Sequence, residues 1–237
     1  MTKPGLEPAR VARMTAALSI GEEDPKQSLC AAAAAAVGVT GAGVILMSGG
    51  RALGSVCVSD AMTEAAEDAQ YTLGEGPCVD AFRTKQPVLV PELADPERTP
   101  WAGFREAAQS AGVRAVFGFP LLIESVCFGA LNLYHDRAGA LSDEQFANAL
   151  AVAHVASRTV LGWQSVAGPG SLAWQLEHVP MHRAVVHQAA GMVSVQASVS
   201  VPDAVVMLRA FAFAEDRRIS DVATEVVGGL LRLDGLN

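Results

Sequence analysis

Through the first 165 residues, apolar positions at three- and four-residue steps alternate with short β-rich runs; after residue 171 only the helical spacing persists. Helices are predicted over 7–20, 24–37 (with Pro25 in the first turn), 61–70, 78–84 and 101–111. Residues 44–47 and 52–59 read as strands joined through Ser48-Gly49-Gly50, and 87–90 as a brief third strand. The clearest hairpin pairs 113–123 with 126–134 and turns at Glu124-Ser125. In its second strand Phe128, Ala130, Asn132 and Tyr134 share one face, and Cys127, Gly129, Leu131 and Leu133 the other. Both faces are largely apolar, which predicts a central strand covered on both sides.

A long helix follows over 142–164, opened by Ser142 with Gln145 three residues on, the capping-box spacing. Phe146, Leu150, Ala153, Ser157 and Val160 line one face, and Ala149, Val152, Ala156 and Trp163 lie toward a second. Two apolar faces exceed what one domain needs, so pairing with a second copy is expected. Gly168-Pro169-Gly170 then interrupts any regular element. The chain therefore divides into a mixed domain over 1–165, a linker over 166–173 and a helical domain over 174–233. Three helices are predicted in the latter, over 174–199, from Ser200 with Pro202 in its first turn, and from Ser220 to near Gly228. The inner stripe of the second is read as Ala204, Leu208, Phe211 and Ala212. The fold class is α+β: an antiparallel sheet flanked by helices, followed by a three-helix bundle that leans on a partner copy or on the long helix.

Composition narrows the function. Of the 237 residues 51% are hydrophobic, many of them alanine, and the net charge is −8, which excludes a basic footprint over the whole chain. The uncharged runs 27–50 and 184–202 are broken by glycines or polar residues, so no membrane span is expected and the protein reads as cytoplasmic. Cys30, Cys57, Cys78 and Cys127 show no C-x-x-C spacing, so four free thiols are expected, with no metal and no cofactor.

Two sets of residues carry a family resemblance. Leu73-Gly-Glu-Gly-Pro-Cys78, Gln86-Pro-Val-Leu-Val90, Gly112-Val-Arg-Ala-Val116 and Gly129-Ala-Leu-Asn-Leu133 resemble a GAF domain, a small-molecule sensing fold. Val186-His-Gln-Ala-Ala-Gly-Met192, Ala204 with Leu208-Arg209, and Ile219-Ser-Asp-Val-Ala223 resemble an ANTAR domain, the RNA-binding module of bacterial antiterminators. The order is that of GAF–ANTAR regulators. The resemblance implies a homodimer, joined through the 142–164 helix and the C-terminal bundle. It also implies an unidentified small-molecule effector, binding to twin hairpins in nascent RNA and no catalytic site. Ala190 departs from the pattern, since many ANTAR domains carry lysine there. Residues 171–237 hold five basic side chains (Arg183, Arg209, Arg217, Arg218, Arg232) against seven acidic ones.

Candidate RNA contacts are Arg183 and His187, one helical turn apart, with Gln188, Arg209, Arg217 and Arg218. The alternative for each is a solvated surface group. Phe211 is a candidate for stacking on a base or, alternatively, for the bundle core, and Ala189 and Gly191 are expected to permit close helix approach. Candidate effector contacts are the polar Glu75, Asp80 and Asn132, the aromatic Trp101, Phe104, Phe117, Phe119 and Tyr134, and Cys78. Cys78 opens a short helix, where backbone donors lower a thiol's pKa, so it is either a reactive thiol or a packed one. Free methionine sulfoxide reductases are GAF domains that use cysteines, but Cys57, Cys78 and Cys127 do not match their clustered spacing. A sensor whose helical tail only dimerises or contacts proteins is the alternative to RNA binding.

Overall fold

The computed structural model describes residues 5–18, 25–97, 99–166, 181–215, 217 and 219–233. Contacts divide the chain into two compact units, Met1–Pro169 and Gly170–Asn237.

The first unit begins with α1 (Pro8–Leu18) and α2 (Pro25–Val37), then β1 (Gly41–Ser48) and β2 (Arg51–Val58). Gly49 and Gly50, both at positive φ, make the two-residue turn whose twist suits that hairpin. Next come α3 (Ala61–Leu73), α4 (Pro77–Thr84), β3 (Val88–Val90), α5 (Ala102–Ser110), β4 (Ala115–Ile123), β5 (Val126–His135) and α6 (Asp143–Val166). The five strands form one antiparallel sheet in the order β2-β1-β5-β4-β3. β5 is the central strand, and residues 129–134 are all buried, as their two apolar faces predict.

Alternation along the strands sorts the core into two layers. Val44, Leu46, Phe117, Phe119, Leu121, Leu131 and Leu133 pack against α1, α2 and α6. Val116 and Tyr134 face the other way, against Ala66 and Ala69 of α3 and Trp101, Phe104 and Ala108 around α5. Each fully buried Leu or Phe contributes roughly 1.5–3 kcal/mol.

α1 packs on α6, with Met14 and Leu18 in the same core as Ala149, Val152, Ala156 and Val160. One expectation is corrected here. Cys30 and Cys57 are not free thiols; α2 lies across β2, brings their Cα atoms to 5.8 Å, and the two are disulfide-bonded. Spacing along the chain carries no information about such a crossing. The capping box of α6 does form: Ser142 Oγ accepts from Gln145 N at 3.2 Å, and Gln145 Oε1 accepts from Ser142 N at 3.0 Å.

The second unit comprises α7 (Met181–Ala197), α8 (Val201–Ala214) and α9 (Ile219–Val227). Ser200 caps α8 by accepting from Asp203 N at 3.3 Å. Val186, Ala189, Ala190, Val193, Ala204, Leu208, Ala212, Val222, Ala223 and Val226 are buried. No helix among the described residues is long and apolar enough to cross a membrane.

Candidate functional site

The sheet face beneath α3, α4 and α5 carries a polar cluster sealed from solvent. Asp60 caps α3 by accepting from Thr63 N at 2.9 Å, and this sets the helix phase. Thr63, Glu67 and Gln70, spaced at four and three residues, then fall on the buried side and are fully inaccessible. Glu67 Oε1 accepts from Asn132 Nδ2 at 2.7 Å and from Tyr134 OH at 2.8 Å, and its Oε2 accepts from Ser55 Oγ at 3.2 Å. Gln70 Nε2 donates to Tyr134 OH at 2.7 Å, while Gln70 Oε1 accepts from Cys78 N at 2.9 Å. One network thus joins α3, the first turn of α4, β2 and the central strand.

The backbone makes room for it. Gly43 and Gly118 flank Asn132 on the two neighbouring strands. A Cβ on Gly43 would stand 2.6 Å from Glu67 Oε1, and one on Gly118 would stand 2.8 Å from the Pro77 carbonyl oxygen. Glycine at these positions lets α3 and α4 settle onto the sheet.

Burial, and then the charge of Glu67, pushes both the Tyr134 phenol and the Cys78 thiol well above their usual ranges. Cys78 is accordingly a packed, protonated thiol. Its full burial at the start of α4 favours the packed alternative over the reactive one.

Among the sequence candidates, Cys78, Asn132 and Tyr134 meet in this cluster. Trp101 and Phe104 pack on the same side of the sheet, edge to face at 5.9 Å. Asp80 accepts from Trp101 Nε1 at 3.1 Å, and Glu75 caps α5 by accepting from Phe104 N at 2.9 Å. Phe117 and Phe119 do not belong: odd-numbered residues of β4 face the opposite layer, where Phe119 meets Phe146 at 5.8 Å. Glu67, Gln70, Thr63 and Ser55 escaped sequence reasoning. The available signal was the 63-67-70 spacing within an alanine-rich stripe.

In the second unit, His187 is half-buried, Gln188 is exposed, and Arg209 is half-buried with its Nε sealed. Arg217 grips Glu225 bidentately, at 2.6 and 3.1 Å, and this pair holds the carboxyl below its usual range. Arg218 lies outside the described residues, as does the side chain of Arg183. Phe211 is half-buried; among the described residues of this unit the freely exposed aromatic is Phe213, at 76%. A Cβ on Gly191 would meet nothing within 4 Å among the described residues.

The GAF domain family model matches residues 23–160. Among solved structures, the chain is similar to the GAF domain of a phosphoenolpyruvate-protein phosphotransferase from Acinetobacter. Identity is 14% and the TM-score 0.51, over 70% of this chain and 98% of that one. It is also similar to a domain of a two-component sensor histidine kinase from Sinorhizobium meliloti 1021 (19% identity, TM-score 0.44, covering 59% and 90%). A third is free methionine-R-sulfoxide reductase from Neisseria meningitidis (15%, TM-score 0.45, 70% and 95%). At these identities the likeness concerns the fold alone. No curated protein matches.

Proposed function

The chain belongs to the GAF domain family, and from that premise we propose that it is a cytoplasmic, homodimeric regulator that senses a small effector and answers through RNA. The first unit binds the effector at the cluster under α3 and α4. The second unit binds tandem hairpins of a nascent transcript and antagonises termination. The observation that carries the sensing half is the sealed network itself. Six polar side chains and a thiol meet between α3, α4 and the sheet, where packed apolar residues would stabilise more simply, which marks a site kept for binding. An effector that prefers one arrangement of α3 and α4 shifts the population of that arrangement.

The RNA half is supported by the ANTAR-like residues, which fall in order on α7, α8 and α9 with their small apolar members in the bundle core. Gln188, His187, Arg209 and the arginines 183 and 218 supply its donors. Arg217 is committed to Glu225 and contributes less. Metal and cofactor chemistry form no part of the proposal. Thiol catalysis forms none either, since Cys78 is sealed and Cys57 is bridged to Cys30.

The deciding experiment is a titration of tandem-hairpin RNA at several salt concentrations, with the oligomeric state measured by light scattering. Binding that weakens steeply with salt supports the proposal. A folded dimer with no affinity at low salt rejects the RNA half. A second reading, a tail that contacts protein, is favoured by the apolar exposure of Val206 and Phe213 on α8 and by the Arg217–Glu225 pair. It predicts self-association lost on Phe213→Ser and no RNA affinity.

A further inference from the structure

Inside the polar cluster one buried atom has no hydrogen-bond partner: Asn132 Oδ1. The orientation of that amide is determined by its neighbour. Glu67 Oε1 accepts, so the amide nitrogen must face it and the oxygen is left over. An unsatisfied buried acceptor is expensive, on the order of 1–3 kcal/mol, and calls for an explanation.

The surroundings indicate what would satisfy it. Asn132 stands between Gly43 and Gly118 across the ladder and two residues after Ala130, so its neighbours on the sheet are the smallest residues. Oxygens from the helices fill the space above those glycines: the Glu67 carboxylate over Gly43, and the Pro77 carbonyl over Gly118. Oxygen acceptors next to a carboxylate repel an anion and attract a hydrogen-bond donor, above all a charged one.

We propose that the effector of the first unit carries a protonated nitrogen with N–H donors, an alkylammonium head group, which donates to Asn132 Oδ1 beside the Glu67 carboxylate. This deepens the sensor reading and rests on it. Docking of the head group beside Asn132 needs the Glu67 side chain and the first turn of α4 at Pro77 to draw back from the two glycines they cover. The Gln70–Cys78 hydrogen bond ties that turn to α3, so occupancy and the placing of α4 are coupled.

The test uses the full chain and two matched salts, methylammonium chloride and tetramethylammonium chloride. Both probes are monovalent cations, but only the first has N–H donors. At tens of millimolar, methylammonium is expected to raise the unfolding midpoint of the first unit by roughly 4 °C and to move the Asn132 side-chain amide cross-peaks in a ¹⁵N-correlated spectrum. Tetramethylammonium is expected to do neither. Glu67→Gln and Asn132→Ser are each expected to weaken the methylammonium response about tenfold. The wild-type amide shift decides the matter should either variant fail to fold. Equal effects of the two salts overturn the proposal, as does a stationary Asn132 resonance, the signature of a site that holds only water. If methylammonium is inert while another small molecule bound to the first unit changes RNA affinity, this chemistry falls and the sensor reading stands. If methylammonium binds at Asn132 but no ligand of the first unit alters RNA or partner binding, the site stands and the sensor reading falls.

Discussion

Removing the bridge between Cys30 and Cys57 isolates one interaction whose size follows from the chain itself. The two cysteines are 27 residues apart. Chain-entropy reasoning for a loop of that length assigns the cross-link about 3.5 kcal/mol, a factor of several hundred in the folding equilibrium. For a unit of this size that corresponds to a fall of roughly 7–14 °C in the unfolding midpoint. Both residues are buried, so a reductant acts only through unfolding and the native protein is expected to resist it. The assay is thermal unfolding followed by far-ultraviolet circular dichroism, with and without a phosphine reductant. The Cys30→Ala/Cys57→Ala double variant serves as a reference, its midpoint expected low and indifferent to reductant. Titration of thiols in denatured, unreduced protein is expected to find Cys78 and Cys127 alone. Four reactive thiols would show that the bridge does not form. A bridged protein whose midpoint falls by less than about 2 °C on reduction would refute the entropic argument.

Other predictions bear on the cluster and on the second unit. The Tyr134 phenol and the Cys78 thiol are raised in the fold, so the unfolded chain releases their protons first and stability falls as pH rises past their ordinary values near 10 and 9. The Tyr134→Phe/Cys78→Ala variant should flatten that alkaline limb in pH-dependent urea unfolding. Gly118→Ala drives a methyl into the Pro77 backbone, and a loss of about 1–3 kcal/mol is expected in chemical denaturation. Gly43→Ala pushes the Glu67 carboxylate off Asn132 and Tyr134 and should destabilise by a similar amount. Glu225→Gln releases Arg217 without changing the fold. If RNA binds the second unit, the salt dependence of binding should steepen by roughly 0.7–0.9 per phosphate gained.

Local order was written in the sequence, because it depends on spacing within one element. The two-faced β5, the capping box of Ser142 and Gln145, and the Gly-Gly turn all follow from neighbours within a few residues. Asn132, Tyr134 and Cys78 were visible as polar or sulfur-bearing residues in apolar runs. Strand parity, however, was needed to see that Phe117 and Phe119 turn away from them. Glu67 and Gln70 were invisible as site residues because a helix's spacing says which residues share a face and leaves open whether that face meets water or a sheet. The Cys30–Cys57 bridge, the packing of α1 on α6, and the meeting of Glu67 with Asn132 across 65 positions belong to the tertiary structure alone. Such contacts arise from the order in which strands pair and helices cross them, a property that no local pattern of side chains encodes.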